Sequence, residues 1–270
     1  MKYFILFLLC LSCGGDDFKK VEKLDSFRVL GILADKPEVA PGDSVDVQVL
    51  ISDVNGTEGT IDGSYELCID PGISRGASVS CSHDPNKISG NFDIGIAGLL
   101  PNDQFRTGLS GETLTLTVPG LGTIFYGRSD REKFNGVGYL VVFTFNANNQ
   151  IYKAFKRIIA TNRGSYNNNP TGSSLLLNGS LVSQAPVDGD ELSVNSSGPE
   201  SYSVINIDGI QENRTEKYEL SWYTNTGKFS SSKTSIDETV DYEGEEPSSL
   251  TMALIRDERG GLDFVKASYP

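Results

Sequence analysis

The chain has 270 residues and a formal net charge of −13 at pH 7, with 36 acidic and 23 basic side chains. Its length suits one large domain or two ordinary ones, and its charge excludes the broad basic face that nucleic-acid binding requires. The same acidity disfavours electrostatic attachment to an anionic membrane. We therefore expect no nucleic-acid partner, and any membrane attachment has to come from a lipid or an apolar segment.

The first residues have the features of an export signal. Lys2 precedes an unbroken apolar run from Tyr3 to Leu11, which is about half the ~20 residues that a membrane-spanning helix needs. A basic start, a short apolar core and small residues at the break indicate a secretory signal peptide over residues 1–12.

The break itself, Ser12-Cys13-Gly14-Gly15, resembles the lipobox of bacterial lipoproteins. That resemblance implies cleavage before Cys13 and lipidation of its thiol and new amino group, and several acyl chains such as palmitate anchor a protein stably. Gly14 after the cysteine favours the outer membrane, and the periplasmic and external faces both stay open. The alternative is an ordinary cleaved signal followed by a coincidental cysteine.

Downstream of Cys13, residues 13–24 are polar and predict a flexible tether. From Phe27 onward, apolar and polar residues alternate with period two in short runs separated by Gly, Pro and Asn turns, which is typical of a β-sandwich. We predict strands in this part of the chain at Phe27–Leu33, Val45–Ile51, Tyr65–Ile69, Thr113–Val118, Tyr139–Phe145 and Tyr152–Ile159.

The Asn-rich segment 162–172 interrupts this pattern. Being polar and nearly free of apolar residues, it predicts a linker with few contacts, so that the two halves would unfold as separable units. Beyond it we predict further strands at Ser174–Leu177, Glu191–Val194, Ser203–Ile207, Tyr218–Tyr223, Leu250–Ile255 and Leu262–Ala267.

The two halves look like copies of one another. Tyr65-Glu-Leu-Cys-Ile corresponds to Tyr218-Glu-Leu-Ser-Trp, an Ala-Pro turn precedes each, and each half closes with a strand hairpin. Ordered correspondences of this kind indicate an internal repeat. We predict an all-β chain of two tandem immunoglobulin-like β-sandwiches, over residues 25–161 (with an insertion) and 173–270.

Together, the leader, the Ala-Asp-Lys-Pro-Glu-Val-Ala-Pro-Gly-Asp turn that begins at Ala34, the linker and the loop Arg256–Gly261 resemble a group of uncharacterised surface lipoproteins of diderm bacteria. The resemblance covers most of the chain and implies an envelope location and an immunoglobulin-like fold. It supplies no catalytic residue.

The cysteines fit an exported protein. Cys10 leaves with the signal and Cys13 is taken by lipid, so Cys68 and Cys81 remain as one pair. A Cys68–Cys81 disulfide is expected in an oxidising compartment.

Catalytic and metal-binding patterns are weak. His83 is the only histidine, the sequence has no Gly-X-Ser-X-Gly elbow, and a solvated loop histidine is the simpler interpretation. The acidic clusters around Asp53, Asp188 and Asp241 do not match the calcium-loop pattern, although calcium binding by an acidic loop stays open. We expect no catalysis, no cofactor and no metal site.

Three features leave a binding role open. Trp222 suits a sandwich core better than sugar stacking, and the charged, glycine-containing loop Arg256–Gly261 suits either a hairpin or a binding surface. The first half also carries a longer, glycine-interrupted insertion within residues 83–138, which either adds strands or exposes apolar groups for recognition. The candidate binding residues there are Phe92, Ile94, Leu99, Leu100 and Phe105.

Taken together, these features predict a lipid-anchored envelope protein that acts as a non-catalytic binding or structural module. Its partner is expected to be an envelope protein or polysaccharide. The alternative from another class is a hydrolase acting on envelope polysaccharide, or the carbohydrate-binding accessory module of one.

Overall fold

The computed structural model describes residues 22–24, 27–52, 61–71, 79–94, 105–107, 114–147 and 149–269, without side-chain detail at 93–94 and 105–107. Described residues form an all-β protein with several sheets, as predicted. No helix in this part of the chain has the length and apolarity needed to cross a bilayer.

The first half contains antiparallel strands and two short helices. Its elements are β1 (Arg28–Ala34), β2 (Glu38–Val39), β3 (Ser44–Ser52), β4 (Ile61–Ile69), β5 (Ile88–Ile94), β6 (Phe105–Thr107), β7 (Leu114–Thr117), α1 (Leu121–Ile124), α2 (Asp130–Asn135), β8 (Val137–Ala147) and β9 (Gln150–Ala160).

These strands form two sheets that enclose one core. In one sheet β3 pairs with β1, β6 and β7, and the other has the order β2-β9-β8-β4-β5. Alternate residues of β3 (Val45, Val47 and Val49) are fully buried between the sheets, as period-two alternation requires. Opposite them lie residues of β8 such as Phe143 and Phe145.

The second half repeats the arrangement. Its strands are β10 (Gly172–Leu177), β11 (Ser180–Leu181), β12 (Glu191–Ser196), β13 (Ser201–Ile205), β14 (Gln211–Thr215), β15 (Glu219–Thr224), β16 (Lys228–Phe229), β17 (Lys233–Ser235), β18 (Val240–Glu243), β19 (Leu250–Arg256) and β20 (Leu262–Ser268). The sheet orders are β11-β10-β12-β18-β16 and β17-β15-β19-β20, with β13-β14 as a separate hairpin.

The internal repeat predicted from the sequence is visible in the strand order. The run β9-β8-β4-β5 in the first half corresponds to β20-β19-β15-β17 in the second, and β1-β3-β7 corresponds to β10-β12-β18. Trp222 on β15 is fully buried in the second core and donates from Nε1 to Thr234 Oγ1 at 2.9 Å. Its predicted role in the core is confirmed.

The two halves pack against each other through an apolar cluster. The cluster is fully or nearly fully buried, and its members come from both sides: Leu24, Leu30, Leu50, Tyr223, Leu250, Met252, Leu254 and Leu262. In β19 these residues alternate with those of the second core, such as Ala253 and Ile255, so the strand is buried on both faces.

Segment 162–172, which connects the two halves, is held to both of them by hydrogen bonds. The Asn167 side chain is 3% exposed and donates from Nδ2 to Asp257 at 2.8 Å, while Asn169 donates to the carbonyl of Ala34 and accepts from the Leu262 amide. The expectation of a linker with few contacts is therefore wrong. The polar groups of its asparagines form hydrogen bonds to the backbone and side chains of both halves.

The end of the predicted tether is attached as well. The Leu24 amide donates to the Thr224 carbonyl at 2.8 Å, and the Thr224 amide donates to the Glu22 carbonyl at 3.0 Å. Residues 22–24 thus run parallel to the end of β15, and the Leu24 side chain is fully buried in the apolar cluster. This part of the tether is fixed between the two halves.

Candidate functional site

A cleft of about 620 Å³ lies between the two halves, and we call it the interdomain cleft. The first half lines it with residues of β1 and β9 and with Glu38. The second half supplies Tyr202 and Val204 of β13 and the loop Arg256–Gly261 that joins β19 to β20. Because both halves contribute, the cleft exists only in the packed two-domain chain.

Glu38 is the anionic centre of one wall. Its side chain is 3% exposed and forms ion pairs with the guanidinium groups of Arg163 and Arg259. The amide of Asn167 also donates to it at 2.7 Å. A carboxylate this deeply buried is retained only when it is paired and hydrogen-bonded, and here the partners come from beyond the first half.

A second buried carboxylate completes this network. Glu216 accepts from Arg259 Nη1 at 2.9 Å and from the Glu200 amide at 3.2 Å. Burial raises the pKa of Glu216 and lowers the pKa of Arg163. The charge of Glu38 opposes the shift on Arg163, and the charge of Arg259 adds to it. The network therefore holds charges that the fold has removed from water.

Tyr202 lies between the two arginines of this network. Its ring centroid is 4.5 Å from the Arg259 guanidinium carbon and 5.9 Å from that of Arg163, distances at which a cation is attracted to an aromatic face. The neighbouring Ser203 carbonyl accepts from Arg163 Nη1 at 2.6 Å. These contacts hold the β13-β14 hairpin over one end of the cleft.

The hairpin is fixed at a second point by helix α2. Asn135 at the end of α2 donates to the Ile205 carbonyl and accepts from the Ile205 amide, both at 2.7 Å. An amide side chain that bonds both backbone groups of one strand residue acts as a strand partner. Helix α2, which lies within the insertion of the first half, therefore contacts the β13-β14 hairpin of the second half.

Lys156 lies inside the cleft. It occupies an inward-facing position of β9, between Ala154 and Ile158, yet its ammonium group donates to the Gly260 carbonyl of the other half. Burial lowers the pKa of Lys156 to about 8; the nearby Asp257 opposes this shift and Arg256 adds to it.

The loop Arg256–Gly261 is shaped by Asp257. Its carboxylate accepts from the amides of Arg259 and Gly261 at 2.8 and 2.6 Å, and from Asn167 Nδ2. A Cβ on Gly261 would lie 2.1 Å from this carboxylate, so only glycine fits there. Arg256 extends from the loop and donates to Ser221 Oγ and to the Leu30 carbonyl.

The carboxylates that line the cleft are all engaged. Glu38 bridges two arginines, Asp257 accepts three hydrogen bonds, and Glu258 accepts from the Tyr202 hydroxyl at 3.2 Å. His83, the only histidine in the sequence, lies in an exposed loop, with Nδ1 3.1 Å from the Ser80 carbonyl oxygen. Among the described residues, no three side chains of the metal-ligating kinds come together. Charged and polar side chains around a cavity of this size can bind a ligand.

Of the residues predicted for binding in the insertion, only Phe92 has a described side chain. Phe92 packs on the first core, with ring centroids 5.4 Å from those of Phe143 and Phe145. Ile94 and Phe105 lie on β5 and β6, and their side chains are outside the described residues. Cys13, Leu99 and Leu100 lie outside them altogether.

The predicted disulfide is present. Cys68 on β4 and Cys81 in the following loop are bonded, with Cα atoms 5.6 Å apart. Both are buried beside Leu140 and Val142. The bridge packs with Leu140 and Val142 apart from the first core, and neither cysteine lines the interdomain cleft.

Two signals in the sequence point to the cleft. The loop Arg256–Gly261 was open to either a turn or a binding interpretation, and it lies at the cleft. Lys156 interrupts the inward-facing apolar positions of β9, and a lysine at such a position has to find a partner or a cavity. The roles of Glu38 and Arg163 depend on contacts between the halves, and no local pattern marks them.

No family model and no curated protein matches the chain. Similar solved structures include red sea bream transglutaminase (7% identity, TM-score 0.29, 90% of this chain and 31% of that one). They also include the sporulation control protein Spo0M of Bacillus subtilis (11%, 0.25, 90% of each) and alpha-2-macroglobulin of Escherichia coli (8%, 0.23, 90% and 22%). The chain thus spans about a third of the transglutaminase, and similarity at this level says nothing of function.

Proposed function

We propose that this chain is a lipid-anchored module of the cell envelope that binds a ligand in its interdomain cleft without catalysis. The observation that carries the proposal is the cleft itself, which is open, about 620 Å³ in volume and lined by both halves. That volume is in the range of ordinary ligand sites, which occur preferentially between domains.

The proposed anchor is Cys13 at the outer membrane, after removal of residues 1–12. Support comes from the lipobox-like break in the sequence. The attachment of residues 22–24 beside Thr224 defines where the proposed tether joins the fold. The segment from Cys13 to Glu22 reaches at most about 30 Å when fully extended. Lipidation would therefore keep the end of the second half that carries Thr224 close to the membrane.

Lipidation is tested by phase partition of the Cys13→Ala variant expressed with its leader. The wild-type protein should enter the detergent phase, and the variant should move to the aqueous phase. Partition of the variant with detergent would overturn the anchor. The partition of Cys10→Ala should stay that of the wild type, because Cys10 belongs to the proposed signal.

Binding is tested by incubating the full-length protein in detergent micelles with envelope polysaccharides and envelope protein fractions. Hydrogen exchange should then slow in segments 153–157 and 256–262 together, because the two line opposite sides of the cleft. A footprint elsewhere, or no retained ligand, would overturn the proposal. Release of shortened polysaccharide would favour a hydrolase instead.

A further inference from the structure

The charge balance of the interdomain cleft is opposite to that of the chain. The sequence has 36 acidic and 23 basic side chains, whereas the cleft is lined by three carboxylates and by six cationic side chains: Lys153, Lys156, Arg157, Arg163, Arg256 and Arg259. A concentration of cations in a concave site with low-dielectric walls raises the local concentration of anions.

Half of these cations are already neutralised. Arg157 pairs with Asp70, while Arg163 and Arg259 pair with Glu38. The Arg259–Glu38 pair joins the two halves, and ion pairs of this kind leave little charge for a ligand. The argument for a ligand therefore depends on the remaining three cations.

Lys153, Lys156 and Arg256 form no ion pair with a carboxylate among the described residues. Lys153 is exposed at the rim of the cleft. Lys156 uses one of its three N–H groups on the Gly260 carbonyl, and Arg256 uses Nη1 and Nη2 on Ser221 and Leu30, which are neutral acceptors. Hydrogen bonds to neutral groups do not compensate the charge of a cation, and the attraction of Asp257 offsets the burial of Lys156 only in part.

A buried donor in the same cleft also lacks a partner. The Arg163 side chain is 4% exposed, and its Nε has no acceptor among the described residues. An unsatisfied donor at such depth is uncommon, because it costs about 1–3 kcal/mol. This Nε is also closed to solvent, so the contacts open to a ligand are those of the three cations named above.

Resting on the function proposed above, we propose that the interdomain cleft binds a ligand through its carboxylate or phosphate group, with Lys153, Lys156 and Arg256 as the cationic contacts. Phe155, on the same strand as the two lysines, is 45% exposed at the cleft, and the Arg157 guanidinium lies over its ring. This aromatic face provides a surface for an uncharged part of the same ligand.

The test is calorimetric titration of the full-length protein in nonionic detergent micelles with three probes. Trigalacturonate carries carboxylates, inorganic pyrophosphate carries phosphates, and maltotriose is the uncharged control. We expect binding of at least one anionic probe and none of maltotriose. Binding of the carboxylate probe alone or the phosphate probe alone identifies the source of the anionic group.

Substitutions locate the contacts. Lys153→Gln, at an exposed position, should weaken anion binding by about threefold, and Lys156→Met by about tenfold or more, since charge-assisted hydrogen bonds in a desolvated site are the stronger ones. Lys36→Gln removes an exposed lysine outside the cleft and should leave affinity unchanged. If Lys156→Met fails to fold, Lys153→Gln and Arg256→Gln carry the test.

Equal binding of maltotriose and the anionic probes, or unchanged affinity in the cleft variants, would overturn the inference. So would the absence of binding by both anionic probes. In each case a hydrogen-exchange footprint of an envelope ligand at segments 153–157 and 256–262 would leave the proposed function standing. Loss of that footprint would instead remove the proposed function.

Discussion

At the scale of single residues, the most distinctive feature of this molecule is a set of buried charges at the boundary between its two halves. Glu38, Arg163 and Arg259 are all nearly removed from solvent. Each is satisfied by a residue distant in the sequence, so each depends on the packing of the halves. Breaking one such pair is costly because the other charge stays buried without compensation.

For Lys156, the cost of burying a charge can be measured as a dependence of stability on pH. Its pKa is about 8 in the folded chain and about 10.4 when unfolded. Folding therefore favours the neutral amine, and the penalty is fully present below pH 8, where both states are protonated. Stability contributed by this group should rise between pH 8 and pH 10, by a total on the order of 3 kcal/mol.

Urea unfolding at pH 7.5 to 10, compared between the wild type and Lys156→Met, checks this prediction. The wild type should gain stability relative to the variant across this window. Tyr139, Tyr218 and Tyr269, whose pKa values burial raises to about 12, affect stability only near pH 10 and above, and they are common to both proteins. Parallel pH profiles would contradict the buried position of Lys156.

Residue roles were predictable where a local pattern set them. Trp222 was predictable because a lone large aromatic on an alternating strand suits a core, and the cysteine pair was predictable because two of the four cysteines were otherwise assigned. Glu38 was not predictable, since an isolated acid after a proline has the same sequence signature whether it is solvated or buried.

At the scale of elements, the longer strands follow from alternation and the short ones do not. β1, β3, β8, β9, β19 and β20 were all predicted near their observed bounds. Strands of two or three residues, such as β2 and β16, exist because a neighbouring strand supplies their hydrogen bonds. The polar strand β14 was missed because it is held by β13 and buries little apolar surface.

One further pattern in the sequence indicates that the halves pack against each other. Strand β19 reads Leu-Thr-Met-Ala-Leu-Ile without polar alternation, and such runs indicate burial on both faces. Its inner face contributes Ala253 and Ile255 to the second core, while its outer face contributes Leu254 to the interface between the halves. The Asn-rich segment 162–172 predicted independent halves instead, because asparagines suit a free linker as well as a hydrogen-bonded one.

The attached tether gives the prediction at this scale. Leu24 is fully buried in the apolar cluster between the halves, so Leu24→Ala should leave a cavity and lower the free energy of unfolding by about 2–5 kcal/mol. Urea unfolding measures this value. Leu181→Ala is the matched control, because Leu181 is 68% exposed, and it should cost less than about 0.5 kcal/mol.

A Leu24→Ala variant as stable as the control would mean that residues 22–24 are not held between the halves in solution. The orientation proposed for the second half relative to the membrane would then lose its support, while the fold of both sandwiches would be unaffected.

At the scale of the whole molecule, we expect the two sandwiches to unfold as one cooperative unit. They share the apolar cluster, the Glu38 network and the hydrogen bonds of Asn167 and Asn169. Interfaces between domains become rigid when they are apolar and extensive. A cleft bounded by both halves keeps its shape for the same reason, which is what a binding site needs.

A fragment of residues 172–270 tests this unity. Alone, it would expose the outer face of β15, β19 and β20, including Tyr223, Met252 and Leu254, all at most 8% exposed in the whole chain. Contiguous apolar patches of this kind promote association. The fragment should therefore elute as oligomers in size-exclusion chromatography and bind the dye ANS.

The double substitution Met252→Gln and Leu254→Gln should act with opposite signs in the two contexts. In the fragment it makes the exposed face polar, so the protein should become monomeric and bind less dye. In the full chain it places unpaired amides in the interface, so the free energy of unfolding should fall by about 3 kcal/mol or more. A wild-type fragment that is monomeric and cooperatively folded would show instead that the halves are independent, because the shared cluster would then contribute nothing to the stability of the second sandwich.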